Sequence, residues 1–334
     1  MPSSTWSIQS KHVRFHLLFS LLLSFAFSLS AGAQSLSTAP NENRLSPAGQ
    51  MTVQASGLNP PALKFIAFDF PKASATNPAS INARGDIVGN YHDANGVVHG
   101  FLLRQGVFSA IDFPNAQFTS ARAINARGDI VGRVLGPSGD EHGFLLRDGI
   151  FTQIDYPGAS ATTARGINND GDITGRHFDS AGNESGFILK DGEFHNVFFP
   201  GSCSTDVWSA MDNEQVLVGD ICTNPDNGIH GYIRIKPGNF RTIDFPGAGA
   251  PCTAVRWINE RGDMVGVYAN SPSECDNFQT HGFLLRNGEY TGIDVPGSII
   301  TGVFGINDDG QMVGQYTDKN GKAHGFTVKQ NDEP

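Results

Sequence analysis

Three arginines recur at one place in a repeating frame: Arg122, Arg165 and Arg256 each stand two residues before an Ile-Asn pair. Ser209 and Phe304 take the corresponding places in two further copies, and Trp208 and Trp257 lie beside them. Guanidinium forks grip carboxylates in a bidentate manner, and aromatic faces stack on flat apolar or cationic groups. Gathered at one opening, this set would hold a carboxylated or sugar-like ligand. The competing use is structural, with the arginines bonding carbonyls between repeats and the tryptophans packing there. Both remain open at this level.

A second set pairs histidine with aspartate. A two-residue turn at Gln105-Gly106 puts His99 opposite Asp112, and the same register puts His142 opposite Asp155 and His281 opposite Asp294. One extra turn residue lets His230 meet Asp244, and in the third copy Ser185 and Phe198 replace both partners together. His324 finds its carboxylate only at Asp69, near the other end of the chain. Near-equivalent pairs spread over five repeats do not make one active site. Their expected role is to satisfy half-buried polar groups across neighbouring strands.

These positions are set by a unit written six times. The "VG" or "TG" glycine falls at 89, 132, 175, 219, 266 and 314, and the glycine of "HGF" or its variants at 100, 143, 186, 231, 282 and 325. A third landmark, "IDFP" or close to it, has its proline or equivalent place at 71, 114, 157, 200, 246 and 296. Each unit reads as four short strands; in 115–157 these are "TSARAIN", "DIVGRV", "HGFLLR" and "IFTQIDYP". Asp148-Gly149, Asp191-Gly192 and Asn287-Gly288 are hairpin turns of the mirror-image type that matches strand twist. Four antiparallel strands in about 43 residues is the size of a propeller blade.

The expected fold is therefore all-β, a six-bladed β-propeller of four-stranded blades. A lone fourth strand, "KFIAFDFP" at 64–71, precedes the first full unit, and the unit from 297 stops after its third strand. The N-terminal strand would complete the last blade and close the ring, removing exposed sheet edges. The blades would span about 72–114, 115–157, 158–200, 201–246, 247–296, and 297–330 plus 62–71.

"INARGDIVG" occurs at 81–89 and 124–132, and its Arg-Gly-Asp triplet is also an adhesion signal. The corresponding stretches keep the glycine in most copies and the flanking apolar residues, while the arginine varies. That pattern predicts a tight turn, with Asn bonding nearby backbone and Gly in a left-handed conformation. Asn168, Asp170 and Asp172, or Asn307, Asp308 and Asp309, are candidate calcium ligands, but each loop lacks the later bidentate acid that tight binding needs. At most weak calcium binding is expected there, and no cofactor.

Residues 1–33 carry Lys11 and Arg14, then an apolar run interrupted by serines, then Ala31-Gly32-Ala33, the pattern of a cleaved signal peptide. Residues 34–61 are rich in Ser, Pro, Asn and Gly and read as a flexible leader. Loss of 1–33 removes two cations and no anion, moving the net charge from −10 to −12. That balance argues against nucleic acid or an anionic membrane as partner. Export to the periplasm or beyond fits the cysteines. Cys203 and Cys252 follow blade-ending "FP" segments, and Cys222 and Cys275 follow second strands. Both kinds of loop belong to one face, which predicts disulfides Cys203–Cys222 and Cys252–Cys275.

The segment "INARGDIVGNYHDANGVVHGFLL" (81–103) resembles the bacterial extracellular repeats named for a His-Ala-Phe motif, here with His-Gly-Phe and, at 184–187, Glu-Ser-Gly-Phe. The resemblance covers 64–328 and implies an exported protein, with no activity attached. No nucleophile elbow, zinc spacing or phosphate loop is present. The expectation is a monomeric, non-enzymatic binding or interaction module that takes a small molecule, a glycan or an envelope protein through the face bearing the disulfide loops. The alternative is a propeller hydrolase, lactonase or lyase acting at the channel mouth.

Overall fold

In the computed structural model, residues 51–53, 63–212, 216–223, 228–247 and 252–329 are described. The signal peptide expected at 1–33 lies outside the described residues, as does the leader apart from Met51–Val53. Six antiparallel sheets follow one another along the chain, five of four strands and one of five. The protein is a six-bladed β-propeller.

The ring closes through the N-terminal strand. Leu63–Phe68 pairs antiparallel with Ala323–Lys329, so the sixth blade draws on both ends of the described chain. Phe65 meets Phe326 edge to face at 5.4 Å. Part of the predicted leader also has a place in the sheet: Met51–Val53 pairs with Leu63–Phe65 as an outer fifth strand.

The landmarks have distinct mechanical causes. A Cβ on Gly132 would run into the Ser120 carbonyl oxygen and the Phe144 ring, so the "VG" glycine lets the two innermost strands and the core ring approach closely. The aromatic residue of "HGF" is the fully buried centre of each blade, as Phe101, Phe144, Phe187, Tyr232, Phe283 and Phe326. The aromatic residue of "IDFP" leaves its own blade and enters the next. Phe113, from the end of the first blade, meets Phe144 and Phe151 of the second at 6.3 and 5.1 Å. The Phe113 N–H donates to Thr119 Oγ1 at 2.9 Å, and the same bond recurs at Phe70, Tyr156, Phe199, Phe245 and Val295. Each blade is thus stapled to its successor by an apolar side chain, a ring except at Val295, and one hydrogen bond.

Candidate functional site in the central channel

The innermost strands are Ala75–Ile81, Phe118–Ile124, Ala161–Ile167, Ser202–Ala210, Thr253–Ile258 and Ile300–Ile306. Each contains a one-residue β-bulge at the same depth. A bulge leaves one residue unpaired and re-aims its side chain. The six bulge residues are Ala79, Arg122, Arg165, Trp208, Arg256 and Phe304, and all six line one cavity on the channel axis. Trp208, not Ser209, therefore stands in the arginine position. The turn after the fourth blade's first strand is one residue longer than the others, so aligning "MDN" with "INN" misplaces that strand by one.

Trp208 lies between two guanidinium groups, Arg165 Cζ 4.1 Å and Arg256 Cζ 4.0 Å from its ring centre. Each of the two arginines holds a carboxylate of the fourth blade. Arg165 Nη2 donates to Asp206 Oδ2 at 2.8 Å, and Arg256 Nη1 donates to Asp220 Oδ1 at 2.9 Å. Asp206 and Asp220 face each other across the first two strands of the fourth blade. Behind them Arg133 pairs with Glu141 at 2.8 Å, and Arg176 with Glu184 at 3.2 Å and Asp206 at 3.7 Å. Trp257 lines the cavity too, and packs against the apolar cluster of the fifth and sixth blades and that of the second and third.

The electrostatics follow this pairing. Burial would raise the Asp206 carboxyl, but Arg165 and Arg176 outweigh it and hold the group below its ordinary value. Burial likewise opposes ionisation of Glu141, which the nearby Arg133 and Arg176 bring down to about 2. Burial, only partly offset by Asp206, pulls Arg165 down to about 10. Burial together with repulsion from Arg133 and Arg165 pushes Arg122 well below the usual arginine value. Arg122 differs from Arg165 and Arg256 in having no carboxylate partner among the described residues. Its Nε and Nη2 are buried with no hydrogen-bond partner among those residues, a condition shared by Arg165 Nη1, Trp208 Nε1, and Arg256 Nε and Nη2. The cavity volume is about 30 Å3, which is room for a few waters or one small polyatomic group.

The charged residues of the second strands, Arg133, Arg176 and Asp220, and their partners Glu141, Glu184 and Asp206 escaped the sequence reading. Their signal was the residue after each "VG" or "TG", which changes from Asn to Arg, Arg, Asp, Val and Gln while its neighbours stay small or apolar.

The disulfides are Cys203–Cys222 and Cys252–Cys275, the predicted connectivity. Cys203 begins the strand on which Trp208 sits near the far end. At roughly 3.3 Å per residue, those five steps put the bulge ring about 16 Å from the disulfide loops. The arginine-tryptophan set is thus inside the channel, not on the face carrying those loops.

The histidine pairs form across third and fourth strands: His99–Asp112 and His142–Asp155 at 2.7 Å, His230–Asp244 at 2.9 Å, His281–Asp294 at 3.0 Å and His324–Asp69 at 2.9 Å. They ring the outer part of the disulfide face, away from the channel. Hydrogen bonds donated to Asp294 and Asp69 raise His281 and His324 above the ordinary histidine value.

At the opposite end of the channel the Ile-Asn turns form a girdle. Each Asn Oδ1 accepts backbone N–H groups of its own turn, and its Nδ2 reaches the next blade. Asn82 donates to Asn125 O at 3.1 Å, Asn125 to Asn168 O at 3.2 Å, and Asn168 to Met211 O at 3.2 Å. Asn259 donates to Asn307 O at 3.0 Å, and Asn307 back to Asn82 O at 3.1 Å. Between the fourth and fifth blades the Asp212 N–H donates to Glu260 Oε1 at 2.8 Å. The adhesion triplet is spent on the same turn: Arg84 bonds Asp86 Oδ2 and the Ala126 carbonyl of the next blade, and Gly85 has φ of 80°. Asn168 Oδ1 is likewise turned onto Gly171 and Asp172 N–H groups. Among the described residues no three His, Cys, Asp or Glu side chains group as a metal site.

The class this geometry defines is a six-bladed β-propeller with a polar, arginine-rich channel. No family model matches the chain, and no curated protein does. Solved structures do. A gluconolactonase from Xanthomonas campestris aligns at 14% identity and a TM-score of 0.51, over 86% of this chain and 99% of that one. AofleA from Arthrobotrys oligospora aligns at 12% identity and 0.52, over 84% and 93%. A mutant Aleuria aurantia lectin in complex with Fucalpha1-6GlcNAc gives 10% identity and 0.49, over 78% and 97%. At these identities the likeness is one of fold.

Proposed function

We propose that this chain is an exported, monomeric repeat protein of the type named for the His-Ala-Phe motif, and that it works as a binding module whose ligand engages the central channel. Propellers host both binding and hydrolysis, so a structural neighbour that is a gluconolactonase leaves each open. The observation that carries the choice is the state of the channel carboxylates. Asp206, Asp220, Glu141 and Glu184 are each held by an arginine, and Asp206 and Glu141 are driven further towards the ionised form. General acid catalysis needs a carboxyl group whose pKa is raised towards neutrality. What the inner cavity offers instead is hydrogen-bond donors that lack acceptors, which is a binding surface; the carboxyl that burial does raise, Glu260, lies in the girdle at the channel's far end and accepts the Asp212 N–H.

Two disulfides are the chemistry of an oxidising compartment, and among the described residues no helix is long and apolar enough to cross a membrane. The disulfides support export. Ligand classes to examine are acidic and neutral glycans, small acids and envelope proteins. A thermal-shift screen of the oxidised chain against these, run beside a turnover assay on sugar lactones, tests the reading. A ligand-specific rise in melting temperature that Arg165→Ala abolishes supports it. Lactone turnover that survives purification, and that Asp206→Asn abolishes, overturns it in favour of a hydrolase.

A further inference from the structure

The channel wall carries an uneven set of charges. On the innermost two strands stand five guanidinium groups, Arg122, Arg133, Arg165, Arg176 and Arg256, all lining the channel or buried just behind it. Four carboxylates answer them: Glu141, Glu184, Asp206 and Asp220. Arg133 takes Glu141, Arg176 takes Glu184 and shares Asp206, Arg165 takes Asp206, and Arg256 takes Asp220. Arg122 is left over. Its Nε and Nη2 are buried without an acceptor among the described residues, as are those of Arg256, whose Nη1 nevertheless holds Asp220.

Arg122 is partly buried, and a cation with reduced access to water gains from a charged partner. Water entering the cavity could accept from these N–H groups, but it brings no charge. An anion brings both. Of the residues that line the cavity, Arg122 (Nε and Nη2), Arg165 (Nη1), Arg256 (Nε and Nη2) and Trp208 (Nε1) carry buried donor atoms with no acceptor among the described residues, against one such acceptor, Gln315 Oε1. The Nε–Nη2 edge of a guanidinium is a planar fork matched to the two oxygens of a carboxylate. The cavity volume of about 30 Å3 admits that group and excludes a whole sugar ring.

We propose that the central channel is a binding site for one carboxylate group, gripped by the Arg122 guanidinium, with Arg165, Arg256 and Trp208 as adjoining donors. The proposal rests on the binding-module reading and narrows it to an acid-bearing ligand: a small free acid, or a larger molecule that inserts its carboxylate while the remainder stays outside the cavity. Arg165 and Arg256, stacked on the two faces of Trp208, fix the indole so that its N–H stays presented.

The test uses the oxidised chain as secreted, with sodium chloride replaced by sodium acetate at constant ionic strength. The melting temperature is expected to rise saturably with acetate and to stay flat in chloride. Arg122→Met, which removes the surplus charge, should melt at or above the wild type in chloride and should lose the acetate response. Arg122→Gln, which keeps donors without charge, should lose it as well. No rise with acetate, an equal rise with chloride that marks an adventitious ion only, or an unchanged acetate response in both variants overturns the site. D-glucuronate against D-glucose separates the sources. A rise with acetate alone assigns a free small acid, and a rise with acetate and glucuronate but not glucose assigns the acid group of a larger ligand. Binding of a neutral glycan with acetate inert keeps the module and overturns this site. An acetate response in a preparation that turns over lactones keeps the site and overturns the module.

Discussion

Replacing Asn125 by alanine removes two jobs from one side chain. Its Oδ1 accepts the N–H groups of Arg127, Gly128 and Asp129, each at 3.0 Å. Its Nδ2 donates to Asp129 Oδ2 at 3.0 Å and to the Asn168 carbonyl of the next blade at 3.2 Å. After truncation, Gly128 N–H keeps the Asn125 carbonyl, and the half-exposed Arg127 N–H can turn to water. The buried Asp129 N–H cannot, and a stranded donor costs about 1–3 kcal/mol. Adding about 1 kcal/mol for the lost inter-blade bond gives an expected loss of about 2–4 kcal/mol. For a domain of this size that corresponds to a fall in melting temperature of roughly 5–15 °C. Asn125→Asp separates the two jobs. It keeps the Oδ1 acceptor but sets a carboxylate against Asp129 Oδ2 and the Asn168 carbonyl, so it should be destabilised at least as much. Its folded-state pKa would lie above the unfolded value, so the deficit should shrink as pH falls and the new carboxyl takes up a proton. Calorimetric or fluorescence melts at pH 4.5 and 7.5 read both effects. A loss under about 0.5 kcal/mol for Asn125→Ala would refute the girdle as a source of inter-blade cohesion.

Other consequences of the same structure are as direct. Asp206→Asn strands buried Arg165 and weakens the hold on Arg176, so urea unfolding should show a loss of about 3–5 kcal/mol, and an unchanged midpoint would mean that the pairing carries no weight. Replacing Cys203 and Cys222 together by serine opens a loop whose ends are 19 residues apart, for an expected loss of about 3 kcal/mol; equal stability of the oxidised and doubly substituted chains would contradict a constraining role. His324 is raised by Asp69, so this pair stabilises fully below the unfolded histidine pKa of about 6.5 and fades as pH rises through the higher folded value. The melting-temperature gap between the wild type and Asp69→Asn should therefore be wider at pH 5.5 than at pH 8.5, and a gap independent of pH would show that protonation is not what the carboxylate supports.

Repetition made most of the architecture legible. Six copies of three landmarks fix strand number, turn chemistry and the odd fourth strand at 64–71, because each landmark answers a local need: a close approach at Gly132, a buried ring at Phe144, a staple into the next blade at Phe113. The histidine partners were legible for the same reason, since hairpin register is arithmetic once the turn length is known, and His324 with Asp69 carried that arithmetic across the closure of the ring. The cysteine pairs followed from which loops share a face. Depth and partnership in the channel were not legible. Bulges are backbone events without a residue signature, so only the fold shows that Trp208 takes an arginine's place between Arg165 and Arg256. Which charge answers which depends on distances between strands of different blades, as with Arg165 and Asp206, and sequence spacing does not encode them. The sequence by itself determined a closed ring of six similar sheets. The tertiary structure alone decided that one arginine in its channel, Arg122, would find no carboxylate of its own among the described residues.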